Sequence, residues 1–297
     1  MLLGLVGVLM FSLTLPLTRL AVRQIDPVWL ALARCALAAL VGGMALVWFK
    51  VPFPRRELWP NIFWTIIGVI FGFPIFSSIS MKFTDASHGA IIAGLLPLTT
   101  AIIATTFSPE KPSFKFWLTA FAGSALVVGF ALWQSKGAIQ IGDLAMLVAV
   151  LAASTGYAFG GKLAQAIGGW QAISWSLVLA LPFTIFGMLL LAWLRGGFFE
   201  SMSVNGDSNW QSITWQNWAC FVYVALFSQL IGFFFWYGGM AVGGVARVSQ
   251  VQLIQLVSTL SFAALVNQEI VSQGTWLVGL LVVTLIFINK KAAIKTG

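Results

Sequence analysis

The sequence predicts an all-α integral membrane protein, with ten transmembrane helices arranged as two inverted five-helix repeats. Three observations lead there. Of 297 residues, 60% are apolar and only 8% charged, against about a quarter charged in soluble domains; with a mean hydropathy of +0.96, a water-soluble globule is excluded. Uncharged apolar stretches of roughly 18 or more residues, each long enough to cross the hydrocarbon, recur along the whole chain. The chain is also weakly similar to itself at a nearly constant offset. Ten helices of about 20 residues occupy roughly 200 positions, which leaves room for loops and tails but for no separate soluble domain.

Apolar runs between charges place helices at 2–22, 28–48, 61–81, 87–107, 116–134, 144–163, 171–194, 218–241, 246–266 and 275–289. The first is uncharged from Met1 to Thr18 and lacks a basic leader, so it reads as a span rather than a cleaved signal. Turn signals then punctuate the chain in order: Asp26-Pro27, Pro52-Phe53-Pro54, Pro109-Glu110-Lys111-Pro112, Gly168-Gly169, and the polar stretch Ser201 to Asn209, the one long loop. Cys35 and Cys220 fall in or beside apolar spans, where a free thiol acts as a small hydrophobe and implies no disulfide framework.

The net charge of +8 is spread over loops rather than gathered in one stripe, which fits membrane orientation and not nucleic-acid binding. With the N-terminus inside, the inner side holds Lys50, Arg55, Arg56, Lys111, Lys115, Lys162, Arg247, Lys290, Lys291 and Lys295. The outer side holds Arg19, Arg23, Lys82, Lys136 and Arg195. Arg34 lies within a span and is set aside, so the bias of ten to five puts both termini in the cytoplasm.

Sliding the chain by 159 residues lays Pro109-Glu110-Lys111-Pro112-Ser113 on Gln268-Glu269-Ile270-Val271-Ser272, Trp117-Leu118 on Trp276-Leu277, and Met81 on Met240. Nearer the start the offset is 143, with Arg19-Leu20-Ala21 on Lys162-Leu163-Ala164, and the long loop accounts for the difference. The halves are therefore 1–137 and 138–297. Five is an odd number of crossings, so the halves lie upside down to each other, an arrangement that argues for alternating access rather than catalysis.

These residues carry a resemblance. The whole chain resembles the drug/metabolite transporter superfamily, EamA type, whose members have ten helices in two inverted five-helix repeats and a Glu-bearing turn after the fourth helix of each half. Its aromatic content is most similar to the YddG-type exporters of aromatic amino acids, a bacterial inner-membrane group. The chain departs from the family at the proline often found midway along each fourth helix, with Pro97 in one half and Leu256 in the other. The resemblance implies that the third and fourth helices of each half line a central cavity.

Span nine carries Ser249, Gln252, Gln255 and Thr259 on one helical face. Glutamines facing lipid are costly, so this stripe faces either a cavity or a neighbouring helix bonded to it. The equivalents on span four are Ala90, Ala93, Leu96 and Thr100, beside Gly89, Gly94 and Pro97. Pro97 is expected to kink that helix and free carbonyls at mid-depth. Span eight presents Gln229, Gly232, Phe233, Trp236 and Met240, and span three Phe73, Phe76, Ser77 and Ser80. Flat apolar surface with a few hydrogen-bonding groups suits an amphipathic or aromatic solute, although with 14 Trp and 25 Phe most aromatics must face lipid or the interfaces.

His88, the one histidine, opens span four near Asp85 and is either a titrating, proton-coupling group or a bonded helix-end residue. Arg34 sits inside span two, where a charge faces a cavity, is paired, or snorkels. Glu110 and Glu269 read as structural turns. Gly68-x-x-x-Gly72, Gly156-x-x-x-Gly160 and Gly239-x-x-x-Gly243 fit close-packed helices.

No Asp or Glu falls mid-span, which disfavours coupling through a buried acid and makes facilitated efflux the simpler expectation. One lone histidine and no clustered acids leave an intramembrane enzyme nothing to assemble, and neither a cofactor nor a metal is expected. The reading is an inner-membrane exporter of amino acids, aromatic ones first, or of related small amphipathic metabolites, with the lipid bilayer as environment and no obligate protein partner. Multidrug or other metabolite efflux, or a channel-like facilitator, is the alternative.

Overall fold

The computed structural model describes residues 1–107, 110–134, 140–204, 210–289 and 294–296. Pro109, Lys136, Lys290, Lys291 and the end of the Ser201–Asn209 loop, used above, lie outside them. Ten helical units follow in order: α1 (Leu2–Ala21), α2 (Pro27–Trp48), α3 (Arg56–Phe83), α4 (Ala86–Ala93, resuming as Leu96–Phe107), α5 (Phe114–Gln134), α6 (Ile141–Ile167), α7 (Gly169–Arg195), α8 (Trp215–Gly243), α9 (Val245–Val266) and α10 (Gln273–Asn289). Eight of the described helices are long and apolar enough to cross a membrane.

Local chemistry sets the boundaries, and it moves several outward from the apolar runs. Asp26 caps α2, its Oδ1 accepting from the Val28 and Trp29 amides with Pro27 in the first turn. Gln140 and Asp143 form a reciprocal capping box that starts α6 at Ile141, ahead of its first hydrophobic stretch. Gly168 and Gly244 have φ of +89° and +81°, left-handed backbone that lets α6 turn into α7 and α8 into α9 within one residue.

Successive connections alternate between the two ends of the bundle. At one end, Arg19 at the foot of α1 bonds the Met81 carbonyl and Asp85, and Asp26 pairs with Arg195 at 2.9 Å. The Ile25–Ser203 bridge and the Val204 amide on the Gln24 carbonyl pin the α7–α8 connection to the α1–α2 turn. At the other end, Phe49 meets Trp170, and β1 (Glu110–Pro112) pairs antiparallel with β2 (Ile294–Thr296).

The helix contacts are two-fold in pattern: α3 packs on α6 as α8 packs on α1, α4 on α6 as α9 on α1, while α2 meets α7, α4 meets α9 and α5 meets α10. Small residues permit the closest of these crossings. A Cβ on Gly68 would lie 2.5 Å from the Gly156 nitrogen, and one on Gly239 2.8 Å from the Gly4 nitrogen, so backbones touch directly as the small-residue spacings predict. Large apolar side chains of α7 instead point outward, among them Phe183, Phe186, Leu189 and Trp193. In water such a face would drive aggregation; against lipid it is the expected surface.

Candidate functional site

Both third helices contain a π-helical segment, Ile66–Gly72 in α3 and Val224–Ile231 in α8, the second beginning 158 and ending 159 residues after the first. A π segment widens the helix by one residue per turn and leaves carbonyls open to outside donors. Two side chains use them, and a third bonds one of these two. Gln229, in the second segment, donates to the Val69 carbonyl of the first at 3.1 Å. Arg34 Nη2 donates to Gln229 Oε1 at 2.8 Å, and the Cys35 thiol donates to the Ile70 carbonyl. Arg34 is thus buried at mid-helix in α2, 1% exposed, and bound to a neutral amide. It neither snorkels nor finds a carboxylate among the described residues.

The two fourth helices are also interrupted at related places, α4 at Gly94–Leu95 and α9 at Gln250–Val251. In α4 the break lies just before Pro97, which is buried and lacks the N–H that the Ala93 carbonyl would need. The interruption expected from Pro97 is therefore present. In α9 a comparable break occurs without any proline, so the Pro97/Leu256 asymmetry does not make the helices differ here.

Where the interrupted helices meet lies a cavity of about 10 Å³, lined by Ala90, Ala93 and Gly94 of α4, by Gln252, Gln255, Leu256 and Thr259 of α9, and by Leu15. Space of that size holds about one water. The glutamine stripe of α9 thus faces the small-residue stripe of α4 across this space. Both amide atoms of Gln252 and the Oε1 of Gln255 have no hydrogen-bond partner. Gln252 lies near the Tyr157 hydroxyl without a well-formed bond to it. Tyr157 also lies within electrostatic range of Arg34.

The aromatic residues divide. Trp236 is fully buried, edge-on to Tyr157 at 5.5 Å and to Phe11 at 6.2 Å, with its indole N–H unpaired. Phe76 points away, 36% exposed on the outside of the bundle, so the structure separates it from the interior serines of its own helix. Ser77, Ser80 and Ser249 are buried but spend their hydroxyls locally, on the Pro74 carbonyl, on Thr84 and on the Ala246 carbonyl. Thr259 lines the cavity. Tyr157 escaped the sequence reading; a hydroxyl-bearing aromatic in the middle of an apolar span is the signal that marks it.

At the end bearing the α3–α4 and α9–α10 turns, a second recess of about 290 Å³ is lined by Phe83, Asp85, Ser87, His88, Gln140 and Glu269 among others. Here α4 is tied to α6 and to the α9–α10 turn. His88 Nε2 bonds Asp143 Oδ1 at 2.8 Å across α4 and α6. Glu269 accepts from the Ala86 and Ser87 amides, both at 2.9 Å, and so caps the start of α4 from the α9–α10 turn. Burial raises the Glu269 carboxyl, but bonds from Asn267, the Ser87 side chain and the two backbone amides outweigh it and hold it below its ordinary 4.5.

Its folded value being depressed, Glu269 contributes stability above that ordinary value, lost as pH falls through the folded one. Glu269→Ala is expected to cost about 1 kcal/mol, the usual worth of a helix cap. In melts of the purified protein, the gap to wild type should close as pH drops below 4.5.

Among the described residues no three His, Cys, Asp or Glu side chains gather as a metal site. The arrangement offers amides, hydroxyls, an aromatic wall and a cation, equipment for binding rather than bond breaking.

The family model described as "EamA-like transporter family" matches residues 1–132 and 140–289. The chain is 39% identical over 266 residues to the uncharacterized transporter YdeK of Bacillus subtilis, covering 90% of this chain and 88% of that one. It is 22% identical over 276 residues to the uncharacterized transporter sll0355 of Synechocystis, covering 86% and 79%. A crystal structure of a protein 18% identical superposes with a TM-score of 0.70 over 97% of this chain and 94% of the other, a likeness of fold.

Proposed function

The chain belongs to the EamA-like transporter family, a multi-pass membrane carrier of small molecules, and on that premise we propose that it exports amino acids, aromatic ones first, by alternating access. In this reading ten spans form two inverted halves, 1–137 and 138–297, in a bacterial inner membrane with both termini cytoplasmic. The paired family matches, the two-fold contact pattern and the π segments repeated in each third helix support it. One observation carries the site: the unpartnered amide of Gln252 and the unpartnered Oε1 of Gln255 face the broken, small-residue stretch of α4 around a space too small for any solute. Such a centre has to open toward one side at a time to work.

The recess at the Glu269 end opens if the His88–Asp143 and Glu269 ties part. Trp236 and Tyr157 supply flat apolar contact, and Gln252, Gln255 and Thr259 supply orientation. Reconstituted liposomes should take up labelled tryptophan in a saturable way that accelerates with counter-solute. Threonine and a cationic drug in parallel, with and without a pH gradient, separate amino-acid export from multidrug efflux and facilitated from proton-coupled flux. Unsaturated flux would contradict a carrier.

A further inference from the structure

We infer that Arg34 is the carboxylate-recognition residue of this transport site, held in reserve by Gln229; the inference rests on the transport reading above and names the substrate class. A guanidinium stays charged at every relevant pH, so burial cannot neutralise it. Yet Arg34, 1% exposed, has a single hydrogen-bond partner, the neutral carbonyl oxygen of Gln229. Its Nε and Nη1, which carry three of a guanidinium's five N–H donors, have no acceptor.

The described carboxylates with partners are all engaged at one end of the bundle. Asp26 pairs with Arg195, Asp85 with Arg19, Asp143 with His88, and Glu269 with the α4 amides. A purely structural buried cation is paired or ringed with acceptors, and this one is neither.

What surrounds it fits a ligand. Tyr157 lies within electrostatic range of Arg34 and near Gln252, which lines the small cavity, and Trp236 stands edge-on to Tyr157. A carboxylate with a flat apolar body meets a fork of donors at one end and aromatic faces at the other. On binding, the carboxylate replaces Gln229 Oε1 on Arg34. Gln229 also holds the Val69 carbonyl, so its displacement loosens the tie between the π segments of α3 and α8, and recognition is linked to movement of one half against the other.

The test measures thermal stabilisation and binding of the full-length detergent-purified protein with tryptophan, indole-3-propionate, benzoate and tryptophanamide. Wild type should bind the three acids, with tryptophan favoured over its amide by about tenfold or more, the scale of a charged hydrogen-bonded contact. Arg34→Gln should lose that preference and Arg34→Lys keep part of it.

Should Arg34→Gln fail to fold, Gln229→Glu decides: a built-in carboxylate should raise the melting temperature and abolish the response to added acids. Equal affinity for acid and amide, acid binding unchanged in Arg34→Gln or Gln229→Glu, or no binding of any acid would overturn the inference. Acid binding without liposome transport would sink only the transport reading; transport of the cationic drug with no acid bound would sink only the role of Arg34.

Discussion

Replacing Gln252 and Gln255 together by leucine is expected to reduce transport by at least about tenfold while leaving the protein as stable as wild type or more so. The reason is the unusual state of these amides. Three of their polar atoms are without partners in the closed structure, and a buried polar group left unpaired costs about 1–3 kcal/mol. Leucine of similar volume removes that cost and fills the same space beside Ala90, Ala93 and Gly94. It also removes the groups that would orient a solute once the cavity opens.

If the stripe were interhelical glue, the outcome would invert: stability would fall and transport would follow only through loss of folded protein. Melting temperature and liposome uptake measured on one preparation separate the two. Unchanged uptake would remove Gln252 and Gln255 from the site.

The second large effect belongs to Gly156. A Cβ there would stand 2.4 Å from Val69 Cγ2 and 2.9 Å from the Val69 nitrogen, so even alanine pushes α6 away from the π segment of α3. Overpacking of this kind costs about 1–3 kcal/mol, several degrees of melting temperature. Leucine at Gly156 should leave little folded protein. Gly156 also offers its carbonyl to the Tyr237 hydroxyl at 2.9 Å, so three helices register on this one residue. Gly129 is the matched control: nothing lies within 4 Å of a Cβ added there, and alanine should be neutral. Equal effects of alanine at the two positions would mean that α3 and α6 are not in backbone contact.

Much of this was readable in the residues because the membrane imposes simple rules. Uninterrupted apolar length marked the helices, and glycine spacing marked α3, α6 and α8 as close-packed ones. The polar stripe of α9 was legible because glutamines at helical spacing in an apolar span have few places to go. Pro97 announced the break in α4 through its missing donor.

What stayed hidden depends on groups distant in sequence or on backbone geometry that leaves no composition. The break at Gln250–Val251 has no proline to mark it. The π segments follow from packing, not from a residue type. Arg34 was visible as a charge at depth, but its partner Gln229 lies 195 residues away. Periodicity alone put Phe76 with Ser77 and Ser80, whereas adjacent helical positions diverge by about 100°, enough to turn a ring outward while the serines stay in. The cap on α6 starts that helix three residues ahead of its apolar run, since side chains that satisfy free amides extend a helix in a way hydropathy does not count.

The central claim is that two halves of opposite sense close around a shared interior. Single cysteines placed at residues 50–58 and at 140–142, in a background lacking Cys35 and Cys220, test it through labelling by a membrane-impermeant maleimide in intact cells and in inverted vesicles. The account expects 140–142 to react only from outside and 50–58 only in inverted vesicles. Labelling of both sets from the same side would contradict it.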